Sequence, residues 1–382
     1  MSATPTLVVA GLSARLLAEA AARDGYRVLA LDAFGDLDTQ RCAAAWHPVG
    51  AAVAPGHGPR LDAARTLAAL QAAAREPGVL GWVAGSDFEC EPELLARAAA
   101  VLPLIGTPPE AVRRVRDPVD FFGTLAAHGL PHPETRPDAP ADPRGWLRKC
   151  ARGTGGWHIR AAGDARGLDP ARAPYHQRVV AGTPMSVLFA ADGTTARRLG
   201  AQRLIVRPLG AHPFVFRGAV GPLALPPARL AELDATLQVL ASDFGLRGLA
   251  GLDFVDDGER AWLLELNPRP TASLALYGAG WMRAHVEAAL HGRLPAAPPA
   301  AAPAVPLRGT EIVFARAPLV LDAAGAAALA ARADCHDLPA AGCRFEAGDP
   351  VCSVEAEGVD VEAVLAALAA KRQALRAAWA AA

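Results

Sequence analysis

Two stretches of the sequence combine residue types that handle phosphate and divalent cations. The first is Lys149-Cys150-Ala151-Arg152-Gly153-Thr154-Gly155-Gly156-Trp157-His158-Ile159. A lysine closes a β-rich run and a loop of small residues follows. Glycines let backbone N–H groups approach phosphate oxygens and line up as an anion-binding nest. The lysine adds a compact positive charge. It precedes the glycines, so this is not a Walker loop. The competing reading is an ordinary flexible hairpin turn.

The second stretch runs from Gly251-Leu252-Asp253-Phe254-Val255 through Asp256-Asp257-Gly258 to Ala261-Trp262-Leu263-Leu264-Glu265-Leu266-Asn267-Pro268-Arg269. On a strand, Glu265 and Asn267 share one face, while Leu264 and Leu266 turn to the other and should enter a core. With Asp253 on the preceding strand they form an all-oxygen donor set suited to Mg²⁺. Register decides whether Asp253 joins them. A loop from Asp257 to Ala261 sets Asp253 opposite Glu265, whereas a two-residue turn at Asp257-Gly258 points it away. Metal binding therefore requires the longer loop or a bulge. The competing reading is a solvent-facing polar edge.

Composition sharpens both readings. Lys149 and Lys371 are the only lysines and Asn267 is the only asparagine, in a chain heavy in Ala, Arg, Pro and Gly. Such usage fits drift in a GC-rich genome, so a retained Lys or Asn is one whose replacement fails. The 38 basic and 39 acidic residues leave a net charge of -1, with no charged tail to suggest nucleic acid or an anionic membrane as partner. No signal peptide or membrane span is expected. The cysteines, Cys42, Cys90, Cys150, Cys335, Cys343 and Cys352, form no Cys-x-x-Cys pair and read as reduced structural thiols of a cytoplasmic protein. His47, His57 and His336 have no ligand-like spacing.

The elements that must position these residues follow from pattern. Thr6 to Ala10, Arg27 to Leu31 and Val79 to Ala84 read as buried strands. Helices are expected at Ser13 to Asp24 (with Ser13 as N-cap), Arg60 to Arg75 and Pro92 to Ala100. This alternation predicts a parallel α/β domain over 1–105. A helix at Val119 to His128 follows, then strands at Trp146 to Cys150, Tyr175 to Val180 and Ser186 to Ala191. A helix at Leu230 to Phe244 precedes strands at Leu249 to Val255 and Trp262 to Leu266. This α+β unit occupies 106–294. An Ala/Pro linker fills 295–306, and 307–382 forms a C-terminal α+β segment with strands near Glu311 and Val351 and a helix from Val361 to about Trp379.

Taken together, the lysine–glycine loop and the Asp…Glu-x-Asn-x-Arg hairpin resemble the ATP-grasp superfamily across 106–294. The resemblance implies a two-subdomain fold holding ATP, preceded by an α/β domain, and an ATP-dependent carboxylate–amine ligase. It implies that Lys149 meets ATP phosphates and that Gly153, Gly155 and Gly156 cover them. Gln177, Arg178, Val179 and Val180, in the hinge strand Tyr175 to Gly182, would offer the adenine edge. Asp253, Glu265 and Asn267 would hold Mg²⁺ or Mn²⁺, and Arg269 would neutralise the transferred phosphoryl group. The short motifs Gly182-Thr183-Pro184-Met185-Ser186-Val187 and Glu265 to Pro270 look closest to enzymes similar to the tyramine–glutamate ligase of methanofuran synthesis. That likeness implies small carboxylate and amine substrates, and many relatives associate as homodimers. The sequence departs from the family pattern in two places. Arg116-Asp117-Pro118 stands where a second lysine is usual, and Pro184 stands where an acidic residue commonly binds ribose.

For the acceptor, Ser86 and Glu89 follow a strand of the N-terminal domain, where open α/β sheets place ligands. Arg217 suits a substrate carboxylate. Three other functions compete. Gly11-Leu12-Ser13-Ala14-Arg15 lacks the later glycines of a dinucleotide fingerprint. A bicarbonate-using ligase of the same superfamily and a non-catalytic ATP-binding protein stay open.

Overall fold

The computed structural model describes residues 4–51, 60–167, 169–296 and 306–381. His57 and most of the Ala/Pro linker lie outside them.

The N-terminal sheet is parallel, in the order β3-β2-β1-β4, from β1 (Thr6–Ala10), β2 (Arg27–Asp32), β3 (Ala45–Pro48) and β4 (Val79–Ala84). All five residues of β1 are buried, as continuous apolar runs in parallel sheets require. Helices α1 (Arg15–Arg23), α2 (Leu37–Cys42), α3 (Ala63–Ala73) and α4 (Pro92–Val101) connect and flank the strands. Ser13 does not cap α1. The helix begins after Ala14, whose N–H donates to the Asp32 carboxylate at 3.2 Å. The sheet's own end thus supplies the acceptor that a serine hydroxyl was expected to provide.

Two short helices, α5 (Pro109–Arg116) and α6 (Pro118–Ala127), lead into a small sheet ordered β5-β8-β6-β7. Its strands are β5 (Thr135–Arg136), β6 (Trp146–Cys150), β7 (Arg160–Ala161) and β8 (Pro174–Arg178). The Gly-rich loop joins β6 to β7.

An eight-stranded antiparallel sheet dominates the rest, in the order β13-β12-β9-β10-β11-β14-β18-β16. It contains β9 (Thr183–Asp192), β10 (Ala196–Leu209), β11 (His212–Leu223), β12 (Arg247–Asp256), β13 (Ala261–Asn267) and β14 (Leu307–Phe314). A two-stranded ribbon of β15 (Leu319–Val320) and β17 (Arg344–Phe345) lies apart, while β16 (Cys335–His336) and β18 (Pro350–Gly358) complete the large sheet. The C-terminal strands therefore extend the central sheet, because β14 pairs with β11 from Gly218↔Glu311 to Gly221↔Arg308.

Both faces of this sheet are covered. On β9, Val187, Phe189 and Ala191 pack with Phe121, Leu237 and Phe244 of α6 and α7 (Pro227–Phe244). The alternate residues Leu188 and Ala190 pack with Leu17 and Ala21 of α1 and Met282 of α8 (Trp281–His291). One apolar core thus joins the N-terminal sheet to the central one. Helices α9 (Ala323–Ala330) and α10 (Val361–Ala381) enclose a third core against β14 and β18. Among the described residues no helix is long and apolar enough to cross a membrane.

Candidate active site

The β12–β13 hairpin takes the register that metal binding requires, by way of a bulge. Asp256 pairs with Ala261, so the loop is Asp257 to Arg260, one residue short of the expected length. Its turn is held by the Asp257 carboxylate, which accepts from the N–H groups of Glu259 (2.8 Å) and Arg260 (2.7 Å) and from the Trp262 indole (2.7 Å). Phe254 then faces Leu263 while Asp253 faces Glu265, leaving Leu264 as the inserted residue. Leu263 and Leu266, rather than Leu264 and Leu266, are therefore the core residues of β13. Leu264 lines a cleft instead. Without the bulge Asp253 would oppose Leu264.

Asp253, Glu265 and Asn267 thus lie together on the sheet face that also carries Ser186, the partner of Asp253 on β9. The Asn267 amide donates to Asp253 Oδ2 at 3.1 Å, and its Oδ1 accepts from Arg269 at 3.1 Å. Burial, then the neighbouring Glu265 charge, pushes the Asp253 carboxyl up to about 7. Glu265 goes the other way. Burial alone would raise it, but Arg116, Lys149 and His158 together bring it down to about 2. Two carboxylates on one face form the core of the donor set a hard divalent cation takes, and the Asn267 oxygen, here turned to Arg269, would join them once the amide is rotated. A cation between them would relieve the repulsion that Glu265 exerts on Asp253. The residues fit Mg²⁺ or Mn²⁺ on these grounds.

Arg116, the cation at the departure from the family pattern, is paired with Glu265. It also donates to the carbonyls of Ala151 (2.8 Å) and Gly153 (2.5 Å). One guanidinium therefore links the hairpin to the Gly-rich loop. The junction that places it is built by Asp117, which caps α6 by accepting from Val119 N–H at 2.8 Å, and by Pro118 at the first helical position.

Lys149 is 3% exposed, and its Nζ donates to Gln177 Oε1 at 3.1 Å. The Gln177 amide in turn donates to Thr135 at 3.1 Å. In the hinge, β8 is hydrogen-bonded on both sides, by β5 and by β6. The N–H groups of Arg178 and Val179 are engaged by the carbonyls of Glu134 (2.8 Å) and Gly145 (2.9 Å). Among the described residues, Val180, just beyond the strand, makes no backbone hydrogen bond.

The Gly-rich loop lies against the β10–β11 hairpin. Phe216 N–H donates to Gly155 O at 3.0 Å, and the Trp157 carbonyl lies 2.8 Å from His212 Nδ1. Gly156 has φ +78°, and a Cβ there would stand 1.7 Å from the Phe214 carbonyl oxygen. At Gly153 a Cβ would meet the His158 ring at 2.2 Å. His158 was given no role on sequence grounds, although it stands in the loop motif. Burial first, with Lys149 and Arg116 in support, lowers it to about 4, so it is neutral near pH 7. Together with Arg116, Tyr175 and Glu265 it lines a cleft of about 320 Å³.

Arg269 joins the Asn267 side chain to the N-terminal domain. Its Nη2 donates to Glu89 Oε1 at 2.8 Å as well as to Asn267. Glu89, in a single turn of 3-10 helix after β4, is therefore brought to the site. Ser86 is not, since its hydroxyl bonds the Asp87 carboxylate at 3.3 Å. Arg217 lies apart, on β11. It donates to Pro208 O and stands over the Phe314 ring at 5.4 Å. His336, unremarkable by spacing, has a ring nitrogen within 4.8 Å of Glu19 and Asp38 carboxylate oxygens. Arg15 already bridges Glu19 and Asp337 there, at 2.8 Å each.

The profile of the ATP-grasp domain family matches residues 115–273, which hold the Gly-rich loop, the hinge and the acidic hairpin. No curated protein matches the sequence. Among solved structures, the L-amino acid ligase from Bacillus licheniformis superposes with a TM-score of 0.67 at 15% identity, covering 98% of each chain. N5-carboxyaminoimidazole synthetase from Staphylococcus aureus gives 0.65 at 12%, covering 97% of each chain. Biotin carboxylase from Campylobacter jejuni gives 0.67 at 15%, covering 96% of this chain and 90% of that one. At these identities the likeness is one of fold.

Proposed function

We propose that this chain, which carries an ATP-grasp domain over residues 115–273, is an ATP-dependent carboxylate–amine ligase. A carboxylate oxygen of the acid attacks the γ-phosphorus of ATP and ADP leaves, giving an acylphosphate. An amine then attacks the acyl carbon, phosphate leaves, and an amide remains. The observation that carries this reading is the bulged hairpin. It turns Asp253, Glu265 and Asn267 to one face and sets Arg269 beside them.

In this reading Asp253, Glu265 and Asn267 hold Mg²⁺ or Mn²⁺, which supplies charge neutralisation at the phosphates. Lys149, fixed by Gln177, meets phosphate oxygens, and Gly153, Gly155 and Gly156 cover them. Val180 offers the backbone contact to adenine, with Gln177, Arg178 and Val179 forming the wall of the hinge. Arg116 stands where the usual second lysine would, and ATP binding must share it with Glu265. Arg269 steadies the acylphosphate. The chain's contribution is then largely position and charge, as in other phosphoryl transfers. The domain limits proposed from sequence are kept, with 307–382 regarded as an extension of the central sheet. The finer reading is glutamate joined to an aromatic amine or amino acid. It is supported by the short motifs at Gly182 to Val187 and Glu265 to Pro270.

The test is hydroxylamine trapping. Full-length protein with Mg-ATP, hydroxylamine and pooled small carboxylic acids, glutamate included, should release ADP and form a hydroxamate with one acid. Nucleotide binding without ADP release or hydroxamate from any pool would overturn the ligase reading in favour of a non-catalytic ATP-binding protein. Bicarbonate-dependent ADP release would favour the carboxylating alternative.

A further inference from the structure

A second cleft, narrow and open to solvent, lies between the end of β4 and the Pro268-Arg269-Pro270 segment. Its walls are apolar, with Val83, Phe88, Leu95, Leu104, Ile105 and Val112 among them. The few polar groups in it are nearly all engaged. Thr107 Oγ1 exchanges hydrogen bonds with the backbone of Arg247, at 3.1 and 3.2 Å. His285 accepts from Leu249 N–H at 2.8 Å through Nδ1 and lies 2.9 Å from Ile105 O through Nε2. Burial lowers the ring to about 4, so it is neutral near pH 7.

Among the described residues, two polar atoms in this wall have no partner, Glu89 Oε2 and Arg269 Nε. Glu89 is 4% exposed, and its other oxygen is held by Arg269. A buried carboxylate oxygen without a donor is costly, and that cost marks a place for a donor from outside the protein. Around it the cleft offers hydrophobic contact and no unengaged cation except the edge of Arg269, which already bonds Asn267 and the Pro270 carbonyl (3.3 Å).

We propose that this cleft binds the amine substrate, a small primary amine on an uncharged, apolar body, with Glu89 Oε2 as the partner of its ammonium group. The assignment rests on the ligase reading above and adds to it which substrate goes where. Arg269 Nη2 touches both Glu89 and Asn267, so the ammonium site lies one guanidinium away from the proposed metal face. Glu89 takes one proton from the ammonium. The freed nitrogen lone pair forms the C–N bond at the acyl carbon, and the C–O bond to phosphate breaks with its electron pair going to phosphate. The nitrogen's second proton leaves to the departing phosphate, and the proton on Glu89 returns to solvent. The balance is acylphosphate plus ammonium giving amide, hydrogen phosphate and one proton. An amine with an acidic body would bring a carboxylate against Glu89 and apolar walls, and is disfavoured.

The experiment uses full-length protein and the acid found by hydroxylamine trapping. 2-Phenylethylamine and butylamine are compared with aspartate and β-alanine as amine donors. The apolar amines should exceed the acidic ones in kcat/KM by about tenfold or more. In Glu89→Gln the ratio of amine-dependent to hydroxylamine-dependent turnover should fall by about tenfold to a hundredfold, chiefly through KM for the amine, and Glu89→Asp should recover part of it. Equal use of acidic amines, or an unchanged ratio in Glu89→Gln, overturns the assignment. If Glu89→Gln does not fold, the amine series on the unmodified protein decides. If no acid gives a hydroxamate, the ligase reading fails separately. Calorimetry of 2-phenylethylamine against the unmodified protein with Mg-ADP then tests the cleft alone, and absence of binding overturns it.

Discussion

Gly156→Ala is the substitution that most directly tests whether the Gly-rich loop works in its docked position. The new Cβ would stand 1.7 Å from the Phe214 carbonyl oxygen and 2.8 Å from its carbon. Carbon–oxygen contacts settle near ~3.3 Å, so the loop must retreat by roughly 1.5 Å. The obstacle is backbone of β11 and cannot swing aside as a side chain would. Retreat breaks the Phe216 N–H to Gly155 O bond, a net loss of about 0.5–1.5 kcal/mol. Keeping φ at +78° with a Cβ adds about 1–2 kcal/mol. Together these disfavour the docked loop by roughly 1.5–3.5 kcal/mol, or about 10- to 300-fold in population. If the docked loop is the one that covers ATP, kcat/KM for ATP in an ADP-release assay should fall by about that factor. The melting temperature should move little, since the loop lies outside the cores. Trypsin should cut faster at Arg152 and Arg160, which flank the loop. Activity within about threefold of the unmodified protein, with unchanged proteolysis, would refute the reasoning, because about 1.5 kcal/mol could not then be missing from the reactive state.

Three further outcomes are expected. Glu265→Ala and Asn267→Asp should each lower Mg²⁺-dependent ADP release by at least about a hundredfold, and full activity in either would sink the metal assignment. Asp36 is raised from 3.8 to about 8 by burial and then by the charges of Asp337, Asp38 and Asp32. The folded chain therefore holds a proton that the unfolded chain releases, and stability falls as pH rises from about 4 to about 8. Asp36→Asn should stabilise by about 1–4 kcal/mol at pH 8 and by almost nothing at pH 4, and equal shifts in melts at both pH values would contradict this. Arg372 pairs with Glu311, whose side chain is 1% exposed. Arg372→Met strands that charge and should cost about 3–5 kcal/mol in a denaturant titration, and a loss below ~1 kcal/mol would show that α10 does not depend on the pair.

What could be read from the sequence was what is local. The parallel strands of the N-terminal sheet are short apolar runs between turn signals, and β12 and β13 are β-rich runs on either side of Asp257-Gly258, with Glu265 and Asn267 spaced by two. The scarcity of Asn drew attention to Asn267, which sits among Asp253, Arg269 and the proposed metal face. The long β10–β11 hairpin escaped notice for a physical reason. Its register shifts between Ala201 and Arg203, between Ile205 and Val206 and again between Arg207 and Leu209, so no single alternation runs through it. The joining of β14 and β18 to the central sheet was equally hidden. Nothing near Leu307 records that its strand will pair with one about ninety residues earlier.

Arg116 shows how a departure from a pattern becomes informative once the chain is folded. In sequence, Arg116-Asp117-Pro118 only marks the lack of a lysine. In the fold, Pro118 and the Asp117 cap start α6 at once after α5, and this tight junction fixes the end of α5. From there Arg116 reaches Glu265, 149 residues away, and the carbonyls of Ala151 and Gly153. A lysine at this position, with one charged nitrogen, could not hold both carbonyls and the carboxylate in the same fork. Arg116 thus couples the Gly-rich loop to the carboxylate that faces the proposed metal. If Mg-ATP binds as proposed, it competes with Arg116 for Glu265 and in doing so loosens the contact that anchors the start of the Gly-rich loop.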